Sequence, residues 1–376
     1  MSQSFEDVKN WLFDSDLVIN DKNDKNCGAV HSYFDESKNE FGFLYPEITG
    51  YFLSTLRFLN SIEKNDIYTD YGKKSANWLL SLYDKYGGII QGVYNLEPKM
   101  LSYSFDTAIC AKGLLDYYLF SNDEKFLNFA KKLITETIDQ SIESDGTIKP
   151  YKNLINNNFE ENKNVWYMQY GCLHIKTAIP LLQLYSITKD ETLLKKSNLI
   201  CKSIIKFQNF DGNIFLHPKN KVTNLHTFCY ALEGLLYAYY VTKNKDYLVN
   251  CINAIHWALN NISDDGSIEL WFNSKYRSKA AYPIAQLIRL ILLIEKISKN
   301  EFKNDKNRLL SFLMNFQSLN KNINSKGGFY EEYYKSLFGW KKRKKINSWT
   351  SMFALQALFW NENNDISFEN SIEYLY

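Results

Sequence analysis

Apolar positions along this chain come in pairs of unlike stretches. The first stretch of each pair is apolar almost all round, as in 103–120, 167–185, 225–241, 280–297 and 347–360. A short polar link follows, such as Ser121-Asn122-Asp123 or Thr188-Lys189-Asp190, and then a stretch with one apolar side and one Lys/Asn-rich side. In 191–205, Leu194, Ile200 and Ile204 oppose Lys195, Ser197, Asn198 and Lys202, the spacing of an amphipathic helix. Links this short return the second helix antiparallel to the first, and their Asn and Asp residues suit helix N-caps. Each pair therefore predicts a helical hairpin with a buried first helix and a half-solvated second one.

A glycine phrase punctuates the hairpins: Gly28-Ala29-Val30, Gly88-Ile89-Ile90, Gly146-Thr147-Ile148, Gly212-Asn213-Ile214, Gly266-Ser267-Ile268 and, degraded, Gly328-Phe329-Tyr330. Successive copies lie 60, 58, 66, 54 and 62 residues apart, room for two helices and two connections. Repeats that each bury a face against a neighbour stack into an array or close into a ring. First helices that are apolar on every side fit an inner layer, so the expectation is an all-α (α/α)6 toroid of six hairpins. Counting first helices from Tyr45, Tyr103, Tyr167, Leu225, Ala280 and Asn347, segment 366–376 would complete the last hairpin. An extra helix near 5–13 would cap or close the ring. No linker interrupts the 376 residues, so one domain over 1–376 is expected, with 1–44 as N-terminal helix and closing loop.

In such a ring the short links mark one end, and the glycine turns with loops 91–102, 149–164, 215–224, 269–279 and 329–346 mark the other. Long aromatic-studded loops are usually functional. The binding cleft is expected there, where the first turns of the inner helices converge. Those turns hold Tyr45, Glu47, Tyr51, Tyr103, Asp106, Gln169, Tyr170, His226 and Trp349, and the adjoining loops add Glu269, Trp271, Arg277 and Glu331. Aromatic faces stack on sugar rings and hydrogen-bonding groups read hydroxyls, so this set points to a carbohydrate. Asp106, Glu47 and His226 are the candidate acid–base residues. A carboxylate pair suits glycoside hydrolysis, whereas lysis or epimerisation would call for proton abstraction by Tyr or His. Each has a plainer alternative: a first-turn carboxylate is favoured by the helix dipole alone, and a tyrosine there can be core. Non-catalytic glycan binding, or a scaffold role, is the rival reading.

Charge adds one feature. The formal net charge is only +2, yet segments 211–225, 266–280 and 328–346 hold eleven Lys/Arg against four Asp/Glu, with Lys341-Lys342-Arg343-Lys344-Lys345 the densest run. A glycan partner of acidic character is the reading this favours, while no nucleic-acid motif accompanies the run. The six cysteines include no Cys-x-x-Cys and the five histidines no metal-binding helical pair, so neither a metal nor any other cofactor is expected. The opening residues lack the order of a secretory signal and no apolar run is long enough to span a bilayer. A cytoplasmic protein without membrane insertion is expected.

The segments 28–33, 45–51 and 349–358 resemble bacterial polysaccharide-biosynthesis proteins of the VpsJ type, which are similar in fold to six-hairpin glycosidases and epimerases. The resemblance implies an (α/α)6 toroid acting in capsule, O-antigen or exopolysaccharide assembly, with other assembly proteins as partners. It assigns no catalytic residue. Terpenoid cyclases share helix–glycine repeats, but their Asp-rich motifs are missing; lanthionine cyclases require a Cys-His dipeptide that this chain lacks.

Overall fold

The computed structural model describes residues 1–93 and 99–376. Part of the expected loop 91–102 lies outside the described residues. Six inner helices form a ring: α2 (Pro46–Ile62), α4 (Ser104–Ser121), α7 (Ala178–Thr188), α9 (Leu225–Thr242), α11 (Ala281–Glu295) and α13 (Ser348–Glu362). Each packs on the next and α13 packs back on α2. The outer layer is α3 (Asp66–Tyr86), α5 (Glu124–Leu133), which continues through a wide turn at Ile134–Ile138 into α6 (Asp139–Ser141), α8 (Glu191–Ile205), α10 (Lys245–Leu259) and α12 (Lys303–Met314). The inner helices are buried on every side: Ser104 to Tyr117 in α4 has no exposed residue, and Pro283 to Ile294 in α11 has none. Among the described residues, four small antiparallel sheets form from the connecting loops. The toroid expected from the hairpin pattern is the architecture found.

Two expected boundaries differ. The sixth outer position belongs to α1 (Gln3–Asp14), not to the C-terminal segment. Phe5, Val8, Trp11 and Leu12 form a buried stripe on α1, which packs on α13 with Phe5 and Phe359 rings 5.7 Å apart. The C-terminal residues make only the short helix α14 (Phe368–Ile372), set against α9 and α11. Beyond it the chain turns inward: Tyr376 is fully buried, and its hydroxyl donates to the Met352 carbonyl at 2.8 Å. A five-residue helix is too short to cover α13, and its apolar end fills the ring axis instead.

The third inner helix also starts late. Residues 166–168 make a single tight turn, the chain then breaks, and Cys172–Thr177 form a 3-10 segment before α7. Pro180 has no N–H and its ring opposes the carbonyl four residues back, so a regular helix is accommodated only with Pro180 in the first turn.

Ring closure rests on glycine. Gly327, not Gly328, holds the left-handed turn of the last copy (φ +88), and a Cβ there would lie 2.1 Å from the Asp7 carbonyl of α1. Gly28 approaches Lys74 of α3 in the same way. The seam is reinforced by strand Tyr33–Asp35 pairing with Lys345–Asn347, and by Gln317 donating to the Ser4 carbonyl at 2.9 Å.

Candidate functional site

The inner-helix N-termini converge on a cavity of about 410 Å³ at the long-loop end. Glu47 is the second residue of α2, whose first residue Pro46 is preset for the helical start. Asp106 is the third residue of the adjacent α4. Both line the cavity and both are nearly buried, at 8% and 6% exposure. Burial pushes the Glu47 carboxyl up to about 7, against the lowering effect of the neighbouring Tyr45 hydroxyl and the Lys176 charge. Asp106 is pushed well above the usual carboxylate range, by burial first and by the like charge of Glu47 second. Both carboxyls are thus held more proton-retentive than free carboxylates, Asp106 in part through the like charge of Glu47. Asp106 Oδ2 is buried without a partner among the described residues, an uncompensated polar atom of the kind a ligand satisfies.

His226 is the second residue of α9, behind the N-cap Asn224, whose side chain accepts from the backbone N–H groups of His226 and Thr227 at 3.1 Å each. Its Nδ1 meets Gln286 Oε1 at 2.5 Å. Gln286 Nε2 in turn donates to Glu233 Oε1 at 3.1 Å. Glu233 can only accept, so Gln286 must offer it the amide N–H and present its oxygen to the imidazole. That network assigns the proton to Nδ1 and leaves a lone pair on Nε2, which has no protein partner among the described residues. Burial lowers His226 to about 3, and the charges of Lys176 and Arg289 act in the same direction. The imidazole stays neutral, gripped by Tyr230 and Tyr282 with ring centroids 4.2 and 4.5 Å away.

Beneath these groups lies a fully buried charge cluster. Lys176 Nζ donates to Glu233 Oε2 at 2.6 Å, and Arg289 pairs with Glu233 Oε1. Arg289 also donates to Gln356 Oε1 at 2.8 Å and to the Tyr376 carbonyl at 3.1 Å. A second cluster further down joins Lys112, Asp116 and Arg57. The floor is therefore built of ion pairs inside otherwise apolar helices.

Of the other residues read from the sequence, Tyr45, Tyr103, Trp271, Glu331 and Trp349 line the cavity. Burial, with Glu332 adjacent, pushes Glu331 up to about 7. Trp349 Nε1 is a buried donor without a partner among the described residues. Five residues fall elsewhere. Tyr51 is a turn further along α2 and sits in the floor, its hydroxyl 3.2 Å from Lys176 Nζ. Tyr170 points outward to Ser203 of α8 at 2.7 Å, and Gln169 bonds the Lys163 carbonyl, because the chain is not helical there. Glu269 and Arg277 pair with each other at 2.6 Å on the loop surface.

No Lys or Arg lines the cavity among the described residues. The basic run 341–345 lies on a β-hairpin and the following strand at the rim, so the charge pattern that favoured an acidic ligand does not describe the cavity wall. Sequence reasoning missed Gln91 and Trp166, which line it together with Tyr282 and Glu332, and the supporting Lys176, Glu233, Gln286 and Arg289. A signal existed for the last four: charged or amide groups inside stretches that are otherwise fully apolar. Trp166 joins an aromatic series rising from the cavity, 5.5 Å from Tyr167 and 6.0 Å from Trp271, with Tyr167 6.1 Å from Tyr103. Among the described residues no three His, Cys, Asp or Glu side chains are grouped to hold a metal ion, and no helix is long and apolar enough to cross a membrane.

The fold has structural counterparts. Cellobiose 2-epimerase from Bacillus thermoamylovorans matches with a TM-score of 0.75 at 15% identity, over 94% of this chain and 98% of that one. A D-mannose isomerase matches at 0.76 and 11% identity, over 95% and 97%. An unsaturated glucuronyl hydrolase specific for heparin matches at 0.70 and 13% identity, over 97% and 98%. At these identities the likeness is one of fold, an (α/α)6 toroid spanning nearly the whole chain. No family model matches the chain, and no curated protein matches it by sequence.

Proposed function

We propose that this protein is an enzyme that modifies a glycan by acid–base chemistry in the cavity, and that cleavage of a glycosidic bond is the reaction it fits best. The observation that carries this reading is the pair of buried carboxyls, Asp106 and Glu47, lining one aromatic-walled pit. In a hydrolysis, protonated Asp106 donates its proton to the bridging oxygen as the C1–O bond breaks. Ionised Glu47 removes a proton from the attacking water. Trp271, Tyr103 and Trp349 supply stacking faces and an N–H donor for the sugar. With no Lys or Arg on the cavity wall among the described residues, a neutral sugar suits the cavity better than an acidic one. Solved structures of this fold are named as an epimerase, an isomerase and a glucuronyl hydrolase, which supports carbohydrate processing. The resemblance at 28–33, 45–51 and 349–358 supports a role in cell-surface polysaccharide assembly.

His226 favours a second reaction. The free Nε2 lone pair on the cavity wall is placed to take a sugar C–H proton, as epimerisation or lysis would require, provided that bound substrate raises the proton affinity of the imidazole above its value in the empty cavity.

The test is turnover of neutral and uronic oligosaccharides by the wild type and by Asp106→Asn, Glu47→Gln and His226→Ala. Hydrolysis predicts that Asp106→Asn and Glu47→Gln each lose on the order of 10²–10⁴ in kcat. Epimerisation predicts that loss for His226→Ala. Glycan binding that survives all three substitutions, with no turnover by the wild type, would indicate a binding or scaffold subunit instead.

A further inference from the structure

The strand Glu332–Ser336 leaves the cavity rim at Glu332 and returns as Gly339–Lys342, with Ser336 opposite Gly339. Two residues make the turn, Leu337 and Phe338. They are 99% and 89% exposed. Two-residue hairpin turns favour Asn, Asp and Gly, and nothing in the fold covers this pair. Neither turn chemistry nor core packing accounts for two large apolar side chains at the outermost point of the hairpin.

Their surroundings are cationic. Lys341 Nζ stands 5.6 Å from the Phe338 ring centroid, and Lys335 Nζ 5.3 Å from that of Trp340. The neighbouring loop joins the same surface, since Lys335 N–H donates to the Arg277 carbonyl at 3.1 Å, and it adds Lys275 and the exposed Tyr276. Among the described residues Lys275, Lys335 and Lys341 have no carboxylate within ion-pair distance. The nearby acids are engaged elsewhere, Glu332 with Arg343 and Glu269 with Arg277.

We propose that this tip is a docking element for an anionic lipid surface, with Leu337 and Phe338 seated among the headgroups and Lys275, Lys335 and Lys341 facing lipid phosphates. An apolar pair ringed by unpaired lysines is complementary to such a surface on both counts: apolar burial gives depth and charge gives attraction. A protein groove would satisfy the apolar pair but leave three lysines to find separate acids. The contact is peripheral and involves no membrane-spanning segment. It goes beyond the carbohydrate reading and does not depend on it.

Cosedimentation tests it, using glycan-free vesicles of phosphatidylcholine alone or with about a third phosphatidylglycerol. The wild type is expected to bind the anionic vesicles selectively, and less at high salt. Leu337→Ser with Phe338→Ser should weaken binding at least roughly tenfold. Lys335→Gln and Lys341→Gln should each weaken it about fivefold. Thermal melting should not change, because these side chains bury nothing. No binding, equal binding to neutral vesicles, or full binding by the variants would overturn the proposal. So would self-association of the wild type that disappears in the Leu337→Ser/Phe338→Ser variant, which would assign the tip to a second copy of the chain. Because the vesicles carry no sugar, none of these results bears on the carbohydrate reading.

Discussion

Replacing Glu233 by Gln tests the charge cluster under the cavity. Glu233 pairs with both Lys176 and Arg289, and among the described residues no other carboxylate pairs with either; all three are fully buried. The substitution keeps volume and shape but leaves two cations facing each other in a medium that cannot solvate them. Removing one partner of a buried ion pair typically costs about 3–5 kcal/mol. Unfolding entropy near 2.1 cal/mol/K per residue amounts to roughly 0.8 kcal/mol/K over 376 residues, so the melting temperature should fall by about 4–6 °C. Calorimetry at pH 7 reads this directly. Adding Lys176→Met removes one of the stranded cations, and the double variant should recover about half of the loss. Glu233→Gln melting within about 1 °C of wild type, or a double variant worse than the sum of the singles, would refute the argument, because then no buried charge balance depends on Glu233.

Two further outcomes follow from the geometry. Burial holds the folded Glu47 carboxyl up to about 7, against about 4.5 for a free glutamate; the folded state therefore binds this proton more tightly than the unfolded chain, and the associated stability is present below about pH 4.5 and lost as pH rises through 7. Glu47→Gln should accordingly match wild type at pH 4 and exceed it at pH 8, by up to about 3 kcal/mol in denaturant titrations, while abolishing the activity limb that rises near pH 7. Gly327→Ala should destabilise the ring seam, since a left-handed alanine costs roughly 1–2 kcal/mol before its Cβ meets the Asp7 carbonyl. Loss of the α1/α13 contact should appear as faster amide exchange in α1 than in α4.

The sequence alone determined the number of hairpins, which helix of each pair is buried, and which end of the ring carries the long loops. These are consequences of local pattern: α4 and α11 are apolar on every side, so no arrangement but an inner layer buries them. The first-turn positions of Glu47, Asp106, His226 and Trp349 follow from the same pattern, because helix starts at one end of a ring must converge. Only the tertiary structure decided how the ring closes. α1 and the C-terminal segment are both short amphipathic pieces, and the choice between them rests on Gly327 reaching Asp7 and on Trp11 donating to the Asn324 carbonyl at 2.9 Å, contacts more than 300 residues apart in the chain. It also decided the fate of Tyr51, Tyr170, Glu269 and Arg277, since whether a side chain faces the axis, the outer layer or solvent depends on helix rotation and on where Pro180 lets α7 begin. The proton arrangement of the site belongs to the fold as well. Glu233, Gln286 and His226 lie on two inner helices, and only their packing links them so that a neutral imidazole lines the same cavity as Glu47 and Asp106.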